Sequence, residues 1–192
     1  MSFNVPVIYG SVRQHRKGIR VAKFITNECQ KKNYNATLID PMDYDLPLLN
    51  KMYKEYEEGN TPQPLEELAE IIRNADGYII VSAEYNHSIP PALSNLLDHF
   101  LEEYFFKPSG IVCYSAGHFG GVRASMQLRS MLAEMGMSSI PSIMPVPKVA
   151  QSFDENGTPN DEQYFKRADR FLSEFDWYLS ALKRQREEGK PY

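Results

Sequence analysis

Short apolar runs alternate along this chain with longer stretches whose apolar residues recur every three or four positions, and this alternation restricts the fold more than any other feature. Val5–Tyr9, Ala36–Ile39, Tyr78–Val81, Gly110–Tyr114 and Ser138–Met144 read as strands. Gly18–Lys32, Pro64–Asn74, Pro91–Tyr104, Gly121–Met135 and Asp161–Arg186 read as helices. In the first helix Ile19, Ala22, Ile25 and Cys29 share one face, and Val21 and Phe24 widen it. Tyr78–Val81 is apolar without a break, as in a parallel strand covered on both faces. Strand and helix in alternation predict an α/β chain: a doubly wound, five-stranded parallel sheet with right-handed crossovers and helices on both faces. Residues 1–192 are expected to form a single domain, with no repeat and no interdomain linker. Pro6 fits this reading badly, because proline removes a ladder hydrogen bond; it is expected near the start of its strand as a local defect.

Charge and cysteine content narrow the function. The formal net charge is −4, so general attraction to nucleic acid or to an anionic membrane is not expected, and any anion site must be built locally. Two cysteines, Cys29 and Cys113, give neither a disulfide framework nor a CxxC metal site. No apolar run reaches the ~18 residues of a membrane span, and no basic leader precedes Val5. The expected compartment is the cytoplasm.

In doubly wound sheets ligands sit outside the carboxyl ends of the strands, where the strand order reverses. Three loops occupy such positions: Gly10–Lys17, Ser82–Pro91 and Ser115–Gly121. The first, with the glycine that follows it, reads Gly10-Ser11-Val12-Arg13-Gln14-His15-Arg16-Lys17-Gly18. A strand ends, a small residue permits a tight turn, and a helix begins with free N–H groups and a positive dipole end. Ser11 can donate a hydroxyl bond, and Arg13 and Arg16 can donate bidentate charge-assisted ones. With Lys17 and His15, four basic residues fall within five positions of an acidic chain. A dianionic phosphate monoester suits this loop; so does a solvated basic turn with an ordinary N-cap.

The second loop reads Glu84-Tyr85-Asn86-His87-Ser88-Ile89-Pro90-Pro91. Asn86, Ser88 and backbone amides can read the edge of a planar heterocycle, with Tyr85 and the prolines as walls. A turn in which the prolines start the next helix explains Pro90 and Pro91 but not the cluster Glu84-Tyr85-Asn86. The third loop, Ser115-Ala116-Gly117-His118-Phe119-Gly120-Gly121, carries three glycines that let backbone approach a ligand closely. Amides at the helix start that follows suit negative charge developing on a reduced ring. The four histidines show no metal-ligand spacing, and no metal is expected.

The three loops taken together resemble the NADPH-dependent FMN reductase family, with its azoreductase, quinone reductase and chromate reductase relatives. The shared motifs are Gly10-Ser11-Val12-Arg13 with Arg16; Glu84-Tyr85-Asn86 with Pro90 and Leu93-x-Asn95-x-Leu97-Asp98; and Ser115, Gly117, Gly120-Gly121 and Arg123. Asp45-Leu46-Pro47-Leu48 and Phe153-Asp154-Glu155-Asn156-Gly157 add to them, so the resemblance spans nearly the whole chain. It implies a flavodoxin-like fold, FMN as cofactor and NADPH or NADH as electron donor. It implies that Ser11, Arg13 and Arg16 hold the FMN phosphate, that Glu84, Tyr85 and Asn86 line the isoalloxazine, and that Ser115, Gly117 and Gly120-Gly121 flank the ring and ribityl side. It also implies a homodimer or dimer of dimers. One departure is Ala83, where the family usually has proline before the triplet, which makes this loop less rigid.

The expected activity is ping-pong electron transfer to a small acceptor: flavin, quinone, azo compound or chromate. The flavin does the chemistry, so no side chain is assigned a catalytic role, and His118 is expected to be exposed or to line the pocket. A flavodoxin-type electron carrier and an FMN-binding redox sensor share this fold and stay open as alternatives. Two further expectations concern packing. The wide apolar face of Ala92–Tyr104, followed by Phe105-Phe106, calls either for a partner helix in a dimer or for deep burial in its own core. The long connection Pro41–Gln63, with Tyr44, Tyr53 and Tyr56, is either a lid over the flavin or a surface loop. The polar end Lys183–Tyr192 reads as a frayed, solvated tail.

Overall fold

The computed structural model describes residues 2–192. Strands β1 (Val7–Tyr9), β2 (Leu38–Ile39), β3 (Tyr78–Ala83), β4 (Pro108–Tyr114) and β5 (Ser138–Val146) form one sheet in the order β2-β1-β3-β4-β5, and every pair is parallel. Chain order and sheet order part company at β1, whose neighbours are β2 and β3. The C-terminal end of β1 is therefore the switch point of a flavodoxin-like α/β sheet.

Side chains alternate across the sheet and build two cores. Val7, Tyr9, Ile79, Val81, Val112 and Tyr114 point to one face, covered by α1 (Ile19–Lys31) and α6 (Gln163–Glu188). Ile8, Tyr78, Ile80, Ile111 and Cys113 point to the other, covered by α2 (Gln63–Asn74), α3 (Pro91–Asp98) and α4 (Val122–Glu134). A short α5 (Val149–Ser152), absent from the sequence reading, follows β5. Among the described residues no helix is long and apolar enough to cross a membrane.

The first strand starts at Val7 rather than Val5, so Pro6 lies just ahead of it. The flanking amides still pair, Val5 N–H with the Asn35 carbonyl and Val7 N–H with that of Thr37, and the Pro6 carbonyl accepts from Ile79. Only the donor that proline lacks is missing from the ladder. β5 tolerates Pro141 and Pro145 because it is an edge strand. Between Ser139 and Ile143 its register with β4 is irregular, and side chains of α4 and α6 take up backbone groups: Arg129 donates to the carbonyls of Ile140 (2.7 Å) and Pro141 (2.5 Å), Arg167 donates to that of Pro145, and Glu174 accepts from the Ser142 N–H (3.2 Å).

The helix expected over Pro91–Tyr104 ends at Asp98. The His99 carbonyl accepts from Tyr53 N–H at 2.8 Å, and Leu101 leaves the helical region at φ −147°, ψ −68°. A 3₁₀ turn, Glu102–Tyr104, completes the segment. The break folds Phe100 and Tyr104 into the chain's own core, so the apolar surplus needs no partner helix.

The connection 41–62 is pinned to α3. The Asn95 amide donates to the Pro47 carbonyl and accepts from Leu49 N–H, both at 2.8 Å, and His99 Nε2 lies 3.2 Å from the same Pro47 carbonyl. The C-terminal end is likewise anchored rather than frayed. Arg186 donates to the carbonyls of Phe106 (2.9 Å) and Asp76 (3.2 Å), and Lys183 pairs with the Asp76 carboxylate at 3.0 Å.

Candidate active site

A cavity of about 460 Å³ opens at the C-terminal ends of β1, β3 and β4. Residues 11 and 13–18, 83–85 and 114–116, with Val149 and Ala150 of α5, line it. Its size falls within the range of small-molecule sites. A larger hollow, about 710 Å³, lies between α2 and the 53–61 stretch, away from these strand ends. Five glutamates, Glu57, Glu58, Glu66, Glu67 and Glu70, outnumber Lys54 and Arg73 in its lining, so it is the poorer place for a phosphate.

The first loop is shaped by packing. A Cβ on Gly10 would stand 2.8 Å from Cβ of Leu93, and one on Gly18 would stand 2.0 Å from the Tyr114 ring. Glycine at both positions lets the loop lie against its neighbours. Ser11 is buried, with Oγ 2.7 Å from the Tyr85 hydroxyl, which ties the first loop to the second. Arg16 grips Asp40 with both guanidinium nitrogens at 2.5 Å, donates to the Ser11 carbonyl at 2.8 Å and stacks over Tyr9. Burial opposes the charge on Arg16, but the Asp40 carboxylate overcomes that and raises its pKa. Arg13 is exposed, its guanidinium 5.8 Å from the centre of the Tyr85 ring, and Lys17 is exposed beside it. Among the described residues neither Arg13 nor Lys17 forms an ion pair, and no side chain caps the N-terminus of α1. The Arg20 and Val21 amides donate to the carbonyls of Lys17 (3.2 Å) and Gly18 (3.0 Å), so two cations and the positive dipole end of α1 are what meet at one end of the cavity and attract an anion.

Behind this loop the Tyr114 hydroxyl donates to that of Tyr9 at 3.1 Å. Burial raises both phenols above their ordinary pKa, so both remain protonated at neutral pH.

In the second loop Tyr85 and Ser88 exchange backbone bonds, 3.0 Å one way and 2.9 Å the other. The central residues Asn86 (φ 51°) and His87 (φ 63°) are both left-handed, which makes a type I′ turn. The Glu84 carboxylate, expected at the ring, sits at the N-terminus of α4. It accepts from the amides of Arg123 (3.0 Å) and Ala124 (3.3 Å) and lies 3.6 Å from the Arg123 guanidinium. Ser88 donates to the Gln127 side-chain carbonyl at 2.6 Å.

The third loop closes on itself. Ser115 Oγ donates to the Gly117 carbonyl (3.0 Å) and accepts from Gly120 N–H (2.9 Å). Gly121, at φ 82°, needs to be glycine, because a Cβ there would stand 2.8 Å from the Tyr114 backbone. Gly117 is different: a Cβ there would meet nothing within 4 Å, so the space beside it is open. His118 is exposed, as is Phe119, whose ring lies 4.1 Å from the Arg123 guanidinium carbon.

Of the expected site residues, Ser11, Arg13, Arg16, Lys17, Gly18, Glu84, Tyr85 and Ser115 line the cavity. Gly10, Asn86, Ser88, Gly117, Gly120 and Gly121, on the same three loops, are not among its lining residues. Sequence reasoning missed Asp40, Tyr114 and Gln127. Asp40 carried a legible signal: an acid directly after Ile39, whose parallel register with Ile8 brings it beside Tyr9 and the first loop. Among the described residues no group of His, Cys, Asp and Glu is placed to hold a metal ion.

The family model for NADPH-dependent FMN reductase matches residues 3–151. A quinone reductase of Pseudomonas putida strain KT2440 is 28% identical over 184 residues, covering 89% of this chain and 94% of its own. An NAD(P)H-dependent FMN reductase of Schizosaccharomyces pombe is 30% identical over 152 residues, 76% of this chain and 75% of its own. Among solved structures, the flavoenzyme NAD(P)H:acceptor oxidoreductase FerB of Paracoccus denitrificans superposes with a TM-score of 0.72 at 20% identity, over 95% of this chain and 98% of that one. By its sequence and by the loops that its sheet brings together, the chain belongs to the NADPH-dependent FMN reductase family.

Proposed function

We propose that this chain binds FMN in the cavity at the β1, β3 and β4 ends and passes electrons from NADPH or NADH to a small acceptor such as a quinone, by a ping-pong mechanism. One observation carries the reading: the uncapped N-terminus of α1, flanked by Arg13 and Lys17, opens onto a cavity of about 460 Å³. The residues fit the cofactor. Arg13 and Lys17, at the positive end of α1, hold the phosphate, and Arg16, engaged with Asp40, braces the loop from behind. Tyr85 and Asn86 form one wall for the ring, and the open space beside Gly117 admits its other side. When bound, FMN supplies two-electron transfer between a nicotinamide and an acceptor. The protein orients it, excludes water from its inner face and leaves one access side, so donor and acceptor take turns there.

The proposed assembly is a homodimer or dimer of dimers, supported by Phe119 and Met126, apolar and exposed at and near the start of α4. The proposed compartment is the cytoplasm, supported by two buried free thiols.

The test is a visible spectrum of the purified chain under nitrogen. Oxidised flavin bands that bleach on adding NADPH or NADH, with parallel double-reciprocal lines in steady state, are expected. A yellow protein that neither donor reduces is a carrier or sensor, and that outcome sinks the enzyme reading. Sedimentation as a monomer at micromolar concentration removes the dimer.

A further inference from the structure

We infer that Gln127, on α4 and outside the cavity, is a positioning residue that holds the second loop in the shape the flavin ring requires. The inference rests on the reading of that loop as the ring wall. Asn86 and His87 are both left-handed, and neither is glycine. Such backbone persists only where its surroundings over-determine it, and it concentrates at functional sites. Here the surroundings are few. Asn86 and His87 are exposed and no core packs against them. The reciprocal Tyr85–Ser88 bonds close the turn, and the Tyr85 hydroxyl ties its first arm to Ser11.

The second arm depends on Gln127. Its Nε2 donates to the His87 carbonyl at 3.0 Å, and its Oε1 accepts from the Ser88 hydroxyl at 2.6 Å. A carbonyl can only accept, so the amide nitrogen must face His87, and the hydroxyl of Ser88 must then donate. An amide is the side chain that satisfies both partners. A glutamate lacks the donor and sets a negative oxygen against the His87 carbonyl; an alanine reaches neither. Gln127 lies one turn beyond Arg123, whose amide the Glu84 carboxylate holds. α4 therefore grips the segment on both sides of the turn, at Glu84 before it and at His87–Ser88 after it. Gln127 holds the turn from the side of α4, through the loop and without lining the cavity.

The experiment uses the full chain and the variants Gln127→Ala and Gln127→Glu, titrated with FMN and with riboflavin. If Gln127 positions the ring wall, both flavins lose affinity by the same factor, roughly tenfold, because the phosphate grip is untouched. The visible band of bound flavin shifts as well, which a merely structural residue would not cause. Unchanged affinity and an unchanged band overturn the inference, as does a loss confined to FMN. A melting-temperature cycle needs no flavin. Gln127→Ala lowers Tm in the native background, and most of that loss disappears when Asn86→Gly and His87→Gly have relieved the turn. Equal losses in both backgrounds overturn the grip. If the native chain binds neither flavin, the ring reading fails, and the melting cycle still decides whether Gln127 holds the turn.

Discussion

The Arg16 guanidinium and the Asp40 carboxylate meet through two parallel hydrogen bonds of 2.5 Å, with side chains only 18% and 10% exposed. Asp40 Oδ1 also accepts from Met42 N–H, so the pair joins the first loop to the start of the long connection. Removing either partner leaves a shielded charge behind. Asp40→Asn and Arg16→Ala are each expected to lower unfolding free energy by about 2 kcal/mol, less than a fully buried pair because of the residual exposure. The double variant loses far less than the sum, as urea denaturation measures. Additive losses contradict the pairing.

Arg13 and Lys17 carry the phosphate grip in the proposed site. Arg13→Ala is expected to weaken FMN binding roughly 10- to 100-fold, the worth of a charge-assisted hydrogen bond, and to leave riboflavin binding unchanged. Titration of both flavins against variant and native chain checks it. An equal effect on the two ligands places Arg13 elsewhere.

The glycines of the third loop separate stability from binding. Gly121→Ala puts a Cβ 2.8 Å from the Tyr114 backbone at a left-handed position, and a loss of about 2–4 kcal/mol is expected. Gly117→Ala meets only open space. Its Tm should match that of the native chain while its FMN affinity falls, because the added methyl occupies room the ring needs. A fall in Tm for Gly117→Ala refutes the first half; undiminished affinity refutes the second.

Lys107 makes stability depend on pH. Its ammonium is buried near the C-terminal end of α2, bonded to the carbonyls of Ile72 and Arg73, and burial together with Arg186 and Lys190 pushes its pKa down to about 7. In the unfolded chain the group keeps its proton to about pH 10. Between these values the unfolded state binds the extra proton, so stability rises with pH from about 7 to about 10 and is lost as pH falls back through that window. Denaturation across this range should show a positive slope that Lys107→Met flattens. A flat native profile refutes it.

The sheet and most helices were legible in the sequence because parallel strands buried on both faces leave unbroken apolar runs, as at Tyr78–Val81. The end of the third helix was not, since Leu93, Leu96, Leu97, Phe100 and Tyr104 keep helical spacing across the break. A distant backbone amide, that of Tyr53, decides where the helix stops. The three loops of the site were legible from composition and order. The partners of their side chains were not. Nothing local tells that Arg16 turns to Asp40, that Glu84 turns to the amides of α4, or that Gln127 reaches back to His87. Those pairings are set by strand register and helix placement, which act across 24 to 40 residues.

The arginines beside β5 govern what that edge of the sheet can offer to another strand. A parallel sheet ends in a row of unclaimed backbone groups, an invitation to any passing strand. Along β5 the carbonyls of Ile140, Pro141 and Pro145 and the amide of Ser142 are already held by Arg129, Arg167 and Glu174, and two prolines withhold their donors. A further strand therefore finds few rungs to climb on that border, and the sheet stops at β5.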